Sequence, residues 1–384
     1  MFSQQALEQQ FGVPFNDQQV AAINQAVTWY AGFQDRKHVR QIFFLAGYAG
    51  TGKTTVAKAI AELCAGADWT RFIAPTGKAA SRLRAKGCFG AKTLHQFIYN
   101  VRGEDEEGAP IFVAKGSIDD KPKLVILDEA SMVGEYDVDR LKSHRIPILA
   151  LGDTGQVEPV MGKAYFVPGT EDVILDQIER NAGNIVRASM FVRQNKKLPL
   201  REYEDVFVRE GKVTDEVLSK FLDEDGVVLC SYNNTRTRMN KAARRILGWS
   251  GELPNVGEKI VCLFNQHGYN VMNGEQGIVI GYREIDPDSL DPDEPEELLL
   301  VEFKSLTDGA VRLAKFNPSC FSPDADPAIF RQPGAWDFGY ALTIHKSQGS
   351  EWPNVLVIEE RMGNYAKMNY TAYTRAQSLL GIYR

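Results

Sequence analysis

Three stretches carry side chains able to act on a phosphoanhydride. The first is Gly47-Tyr48-Ala49-Gly50-Thr51-Gly52-Lys53-Thr54-Thr55. Glycines let a backbone curl until its N–H groups converge on an anion. A helix starting at the same point adds partial positive charge. In such a loop Gly47, Gly50, Thr51, Gly52, Lys53, Thr54 and Thr55 would surround the phosphates of a nucleoside triphosphate, with Lys53 on the outer ones and the Thr54 hydroxyl on Mg2+. The second is Asp128-Glu129-Ala130-Ser131. Of two adjacent acids, Asp128 would complete the metal shell and Glu129 would orient and deprotonate the attacking water. The third is Gly152-Asp153-Thr154-Gly155-Gln156, whose Gln156 can sense the γ-phosphate or hold that water. Two arginines, Arg180 after Val173-Ile174-Leu175 and Arg375 after Tyr370-Thr371-Ala372-Tyr373-Thr374, are surface residues or groups that reach developing charge on phosphate.

The elements around these residues have the order such chemistry needs. Apolar Ile42 to Ala46 predicts a buried strand before the loop, and alanine-rich Thr55 to Cys64 a helix after it. Leu124 to Leu127 and Ile146 to Leu151 read as continuous buried strands, which is the pattern of a parallel sheet. They deliver Asp128-Glu129 and Gln156 at their carboxyl ends, where open α/β sheets bind ligands. Asn16 with Gln19 three residues on matches a capping box. The Gln19 amide is equally suited to an adenine edge, and local chemistry leaves both readings open. Arg71 to Ala74 predicts a strand ending in Pro75-Thr76-Gly77-Lys78, a turn that either punctuates or grips a backbone phosphate. Thr93-Leu94-His95 is a similar short signal.

A second set of strand and helix signals starts at Val227 to Ser231. It continues in Asn233-Asn234-Thr235-Arg236 and resumes at Tyr340 to Ile344, before His345-Lys346-Ser347-Gln348-Gly349-Ser350-Glu351. Between them, Gly257 to Pro333 shows short strands without helical period, a barrel-like β insertion if closed. Gly103 to Gly108 is an acidic tip between two apolar runs and predicts a hairpin, on which Phe112 could press against a base pair.

Length and composition are those of a globular protein of two or more domains. No apolar run approaches the roughly 20 residues of a membrane span. The polar start Met1 to Gln10 does not read as a secretory signal. The five cysteines lack paired spacing, so reduced thiols in a cytoplasmic protein are expected. Net charge is −6, but Glu284 to Glu297 alone holds eight acids and no base, leaving +2 for the remainder. That run reads as a solvated loop, and overall charge does not exclude a local basic groove.

Taken together, Gly47 to Thr54, Ala74 to Ala80, Thr93 to His95, Asp128 to Ser131, Gly152 to Val160, Leu175 to Arg180, Tyr232 to Arg236, Thr343 to Glu351 and Tyr370 to Ala376 resemble the ordered motifs of the superfamily 1 helicases. The likeness is greatest to the Dda-like and RecD-like branch of superfamily 1B. The resemblance implies an α/β fold of two RecA-like parallel-sheet lobes that bind ATP and Mg2+ in the cleft between them. It implies lobe 1 over 1–98 and 122–182, a pin insertion over 99–121, lobe 2 over 183–256 and 334–384, and an SH3-like β insertion over 257–333. It makes Gln19 the adenine reader, Gln156 the γ-phosphate sensor, Arg180 and Arg375 arginine fingers, and Gly349 and Glu351 nucleotide contacts. It places single-stranded DNA on Pro75, Thr76, Lys78, Thr93 and His95 of lobe 1. On lobe 2 the DNA contacts are Asn233, Arg236, Thr343, His345, Lys346 and Ser347. The pin departs from the family in being short and acid-tipped, with Phe112 its wedge candidate.

The implied activity is an ATP-dependent helicase that moves 5′ to 3′ on single-stranded DNA and opens duplexes. A monomer acting at single-strand/duplex junctions is implied, with replication or recombination proteins as candidate partners. An RNA-directed helicase and an ATP-switched nucleic-acid loader are the alternatives.

Overall fold

Alternating residues of each strand face opposite sides of a sheet, and the first sheet is apolar on both. The structure, a computed structural model, describes residues 1–384 except 38, 105–109, 159–162, 178–182, 286–297, 323 and 362. Its first sheet contains strands β1 (Ile42–Gly47), β2 (Thr70–Ala74) and β3 (Lys92–Thr93). Strands β4 (Tyr99–Glu104) and β5 (Pro110–Ala114) form a separate two-stranded sheet. The first sheet is completed by β6 (Leu124–Leu127), β7 (Ile148–Gly152) and β8 (Val173–Leu175), in the order β3-β2-β6-β7-β1-β8, all parallel.

Phe43, Leu45, Leu124, Ile126, Leu149 and Leu151 pack on one face with helix α2 (Asp17–Gln34) and helix α3 (Lys53–Cys64), to which α1 (Gln4–Phe11) adds Leu7. Phe44, Ala46, Val125, Leu127, Ile148 and Ala150 pack on the other. Their partners there are helix α5 (Leu94–Ile98), which follows α4 (Gly77–Ala85), and helix α6 (Glu135–Lys142). Burial on both faces pins the register, because a one-residue slip would exchange the two faces. The carboxyl ends of β1, β6 and β7 are thereby fixed side by side.

The chain divides into two compact units: residues 1–100 with 113–186, and 101–112 with 187–384. The second holds another all-parallel sheet, from β9 (Val206–Arg209) and β10 (Gly226–Cys230). A five-stranded antiparallel sheet interrupts it: β11 (Lys259–Cys262), β12 (Gln276–Glu284), β13 (Leu299–Ser305), β14 (Val311–Phe316) and β15 (Trp336–Phe338), ordered β14-β13-β12-β11-β15. The parallel sheet then takes β16 (Ala341–Thr343), β17 (Trp352–Ile358) and β18 (Ala376–Tyr383), in the order β16-β10-β17-β18-β9. Helices α7 (Asn184–Arg193), α8 (Asp215–Ser219), α9 (Asn233–Leu247) and α10 (Tyr365–Tyr373) complete the chain.

The antiparallel sheet is longer than the stretch expected to form it, because β15 pairs with β11 beyond residue 333. It has its own core, around Val301, Phe303, Phe316 and Trp336. Polar bonds tie it to its host: Trp352 Nε1 donates to Gln276 Oε1 at 2.8 Å, and Lys259 Nζ donates to the carbonyls of Gly226 (2.6 Å) and Asp223 (2.9 Å).

All five cysteines are free thiols, four of them buried. Burial pushes Cys64, Cys230 and Cys262 up to about 12, Cys320 to about 11, and Cys88 upward. An unfolded thiol titrates near ~8.5, so above that pH the unfolded chain loses protons that the folded chain keeps, and stability falls. Lys259 and Lys346, each pushed down to about 8 by burial, act in the opposite sense above that pH. Five thiols against two ammonium groups give a net loss. Under reducing conditions the urea unfolding midpoint is expected to be lower at pH 10 than at pH 8. An equal or higher midpoint at pH 10 would contradict it.

Candidate nucleotide site and nucleic-acid interface

The loop after β1 is shaped by its glycines at two points. Gly52 is the N-cap of α3 with φ 76°, a left-handed conformation costly for any residue with a Cβ. A Cβ on Gly47 would stand 2.8 Å from Thr51 Oγ1 and 3.0 Å from Lys53 Cγ. The loop therefore closes tightly over the first turn of α3. Lys53 Nζ lies inside it, donating to the carbonyls of Gly47 (2.6 Å) and Tyr48 (3.0 Å). Thr51 is buried and donates its hydroxyl to Tyr48 O at 2.8 Å. Gly50 is left-handed as well, and Thr54 and Thr55 occupy the opening turn of α3.

Of the two roles its sequence left open, Gln19 takes the capping one at the level of contacts. Its Oε1 accepts from Asn16 N at 2.9 Å and its N donates to Asn16 Oδ1, closing the capping box. Its Nε2 donates to Thr51 O at 3.1 Å, so the amide of α2 also braces the phosphate loop. Next to it, Gln18 ties α2 to the end of β8: its Oε1 accepts from Asp176 N and Gln177 N, and its Nε2 donates to Asp176 Oδ1. Arg180 lies outside the described residues.

Asp128 and Glu129 leave the end of β6 almost enclosed, at 5 % and 9 % exposed. Asp128 Oδ1 accepts from Glu129 N at 2.9 Å. Burial, then the Glu129 charge, push the Asp128 carboxyl up, while Arg82, the bond from Glu129 N and Lys53 oppose them. Glu129 has φ 51°, an uncommon conformation for a residue with a side chain. Its carboxylate accepts a bond from Arg82 Nη2 at 2.7 Å.

At the end of β7, Ser131 Oγ accepts from Asp153 N at 2.8 Å. Asp153, 1 % exposed, accepts from Gly155 N at 3.0 Å and Gln156 Nε2 at 3.4 Å. Gln156 is therefore held in a turn organised by Asp153. Arg82, Ser131 and Asp153 were not singled out from the sequence. Asp153-Thr154-Gly155 did carry an aspartate-turn signal, whereas nothing local marks Arg82 among the three basic residues Arg82, Arg84 and Lys86.

Among the described residues no three His, Cys, Asp or Glu side chains cluster as a self-sufficient metal site. The donors here fit Mg2+ instead, which takes one or two protein oxygens and completes its shell with phosphate and water. Asp128 supplies a buried carboxylate whose charge burial disfavours, and Thr54 a hydroxyl in the first turn of α3.

The residues read as strand contacts in the first unit sit at helix starts. Thr76 is the N-cap of α4, its hydroxyl accepting from Ala79 N at 3.2 Å, with Pro75 before it and Lys78 in the first turn. Thr93 caps α5 in a box with Gln96. His95 stacks on Tyr99 at 5.5 Å and points Nε2 toward Asp137. Phe112, on β5, is 42 % exposed; the hairpin tip at 105–108 lies outside the described residues.

In the second unit, α9 begins without a side-chain cap of its own. Glu360 provides one from outside, accepting from Ser231 N (2.7 Å), Tyr232 N (3.0 Å) and Thr235 Oγ1 (2.5 Å). Asn233 is exposed at that start. Arg236 pairs with Asp337 through Nη1, and its buried Nε has no hydrogen-bond partner among the described residues. Burial pushes Lys346 down to about 8, and Arg236 reinforces this. Thr343 and Ser347 are buried, and burial lowers His345.

Arg375 is 2 % exposed just past the end of α10. Its Nε donates to Thr371 O (3.0 Å), Nη1 to Ser350 O (3.2 Å) and Nη2 to Thr374 Oγ1 (3.2 Å). The structure thus joins Arg375 to the Gly349–Glu351 turn. Glu351 Oε2 accepts from Gln377 Nε2 at 3.1 Å, and Gly349 is left-handed with φ 73°.

A phosphate loop after one strand of a parallel sheet, and two buried acids at the end of another strand separated from it by β7, define the class of phosphate-loop nucleotide hydrolases. Residues 15–211 match the AAA domain family, and residues 338–383 match the UvrD-like helicase C-terminal domain. The chain belongs to the AAA domain family. It is 29 % identical over 385 residues to the ATP-dependent RecD2 DNA helicase of Deinococcus radiodurans, covering 90 % of this chain and 47 % of that protein. This chain thus spans about half the length of that relative. It shares its fold with two Pif1 helicases coordinated at forked double-stranded DNA (TM-score 0.56, 18 % identity, 96 % of this chain and 92 % of that one). A Bacteroides Pif1 bound to single-stranded DNA is similar too (TM-score 0.55, 17 % identity, 96 % and 92 %). Among the described residues no helix is long and apolar enough to cross a membrane.

Proposed function

We propose that this chain is an ATP-dependent DNA helicase that moves 5′ to 3′ along single-stranded DNA and separates duplexes at junctions. The observation that carries the reading is the glycine loop that encloses Lys53 after β1, in the same parallel sheet whose β6 ends in the buried Asp128-Glu129 pair. The match of residues 338–383 to a helicase C-terminal domain and the helicase relatives favour a motor over a simple ATPase.

In this reading Lys53 exchanges its loop carbonyls for the outer phosphate oxygens. Glu129 takes a proton from the attacking water while Gln156, set by Asp153, holds that water. Thr54 and Asp128 would hold Mg2+, which when bound would supply electrostatic stabilisation of the phosphate charge. Gln19 contacts the adenine, and Gly349, Glu351, Arg375 and Arg180 contribute the remaining nucleotide contacts. Thr76, Lys78, Thr93, His95, Asn233, Arg236, Thr343, His345, Lys346 and Ser347 follow the DNA backbone, so binding weakens with salt and is blind to sequence. The lobes are 1–98 with 122–182 and 183–256 with 334–384. The hairpin within 99–121 serves as the strand-separating pin, with Phe112 as wedge, and the β sheet of 257–333 as the SH3-like module.

Strand displacement with 5′-tailed and 3′-tailed duplexes tests activity and polarity together. Displacement from the 5′-tailed substrate alone is expected, with ATP hydrolysis stimulated by single-stranded DNA. Displacement from the 3′-tailed substrate alone overturns the polarity. Stimulation by RNA in place of DNA redirects the motor to RNA, and hydrolysis without displacement leaves a loader.

A further inference from the structure

Residues 69–100 hold six Lys and Arg and no Asp or Glu, in a chain whose net charge is −6. At the far end of α4 from Thr76, about 13 Å along the axis for nine residues, this run turns back toward β3. The turn is fixed by its backbone. Gly87 is left-handed with φ 83° and its N donates to Arg84 O at 2.9 Å, while Cys88 N donates to Leu83 O at 2.9 Å. These two bonds make a Schellman helix end, and its apolar contact accompanies them: Cys88 is buried in one small core with Leu83. Phe89, the next residue, is 91 % exposed, and no other Phe, Tyr or Trp among the described residues is as exposed. An anchored turn therefore holds this ring out from the surface.

Cations flank the turn, and the bonds they make leave their charge in place. Lys58 Nζ, from α3, donates to Lys86 O, and Arg84 Nη1 donates to Ala91 O at 2.7 Å; both acceptors are neutral. Lys86 and Lys92 are exposed. Asp119 and Asp120 line the same hollow as Gly90 and Lys92, and are paired with Lys115 and Arg71 at 3.6 Å each. An exposed ring among cations is the combination that holds a single strand: a base stacks on the ring face and phosphates meet the charges.

We propose that the turn between α4 and β3 is a further contact for single-stranded DNA, with one base stacked on Phe89 and neighbouring phosphates on Lys86 and Lys92. It lies outside the residues assigned to the strand above. Being a helix length from Thr76, it is engaged only by a strand long enough to reach past α4. The proposal rests on the reading of this chain as a DNA-binding motor.

The test uses the full chain and equilibrium binding of labelled oligothymidylates of about 6 and about 20 nucleotides, set against the ~4–16 that one single-strand site spans. Phe89→Ala and Phe89→Leu are each expected to raise the Kd for the longer strand about fivefold or more, the loss of one base–aromatic stack. The Kd for the shorter strand stays within about twofold. Phe89→Trp keeps the longer strand's Kd within about twofold, and the fluorescence it adds is quenched by that strand. The double variant Lys86→Gln/Lys92→Gln reduces the slope of log Kd on log salt by about 1.4, at ~0.7 per phosphate contact. An unchanged Kd in Phe89→Ala, or no quenching in Phe89→Trp, overturns the stack. Parental affinity in Phe89→Leu reduces the ring to apolar bulk and overturns it too. If poly-glutamate quenches the Phe89→Trp signal and DNA does not, the surface takes an acidic protein segment and the proposal fails. If the parent binds neither strand, the DNA reading of the chain fails and this contact with it. If the parent binds both and every Phe89 variant matches it, only this contact fails.

Discussion

Lys53→Ala is expected to lower ATP hydrolysis by about 10³-fold or more, at and beyond the upper range for losing a single preorganised donor. The reason is the placement of the ammonium. It lies within the loop on the carbonyls of Gly47 and Tyr48, at the start of α3, where the helix and the loop amides also favour an anion. Phosphate oxygens would replace two neutral acceptors by charged ones, and the gain grows as charge develops on the transferring group. Alanine removes that charge without disturbing the left-handed Gly52 or the Gln19 brace, so the loop keeps its shape. Single-stranded DNA binding is therefore expected to survive, measured by fluorescence anisotropy beside a phosphate-release assay. Full hydrolysis in this variant would refute the site.

Glu129→Gln is expected to slow hydrolysis by about 10² or more while ATP still binds, the usual size of a general-base contribution. Glutamine keeps the shape of the side chain and can still accept from Arg82, so the turn at φ 51° and the ion-pair geometry are little changed. What it loses is the ability to take a proton. Asp128 stays in place, and its buried carboxyl is relieved of the neighbouring charge that pushes it up. The two variants are therefore distinguishable. Lys53→Ala should weaken nucleotide binding, whereas Glu129→Gln should trap the unhydrolysed nucleotide. Single-turnover hydrolysis and equilibrium binding of a labelled ATP measure both, and a Glu129→Gln enzyme with an unchanged turnover would remove the base from the scheme.

The strands were legible because their signal is local. Leu124–Leu127 and Val173–Leu175 form where the apolar runs predicted them, and the capping box of Asn16 and Gln19 is present as read. The edges were less so. β7 starts at Ile148, two residues into the apolar run, because Pro147 cannot donate a ladder bond. The helix expected around Tyr370 to Ala376 instead covers Tyr365–Tyr373 and leaves Arg375 beyond its end, bonded to Ser350. The antiparallel sheet takes a fifth strand from Trp336–Phe338, since register with β11 is a pairing between distant segments.

By itself the sequence determined the phosphate loop, the acid pair, the parallel-strand pattern and the likeness to superfamily 1B, all of which are written in contiguous residues and their spacing. Only the tertiary structure decided which of the basic residues on α4 meets Glu129, that Glu360 caps α9 from more than a hundred residues away, and that Ser131 holds Asp153. The physical reason is range: propensity and periodicity act within a turn or a strand, whereas an ion pair or a borrowed cap depends on where the packed sheet brings separate segments together.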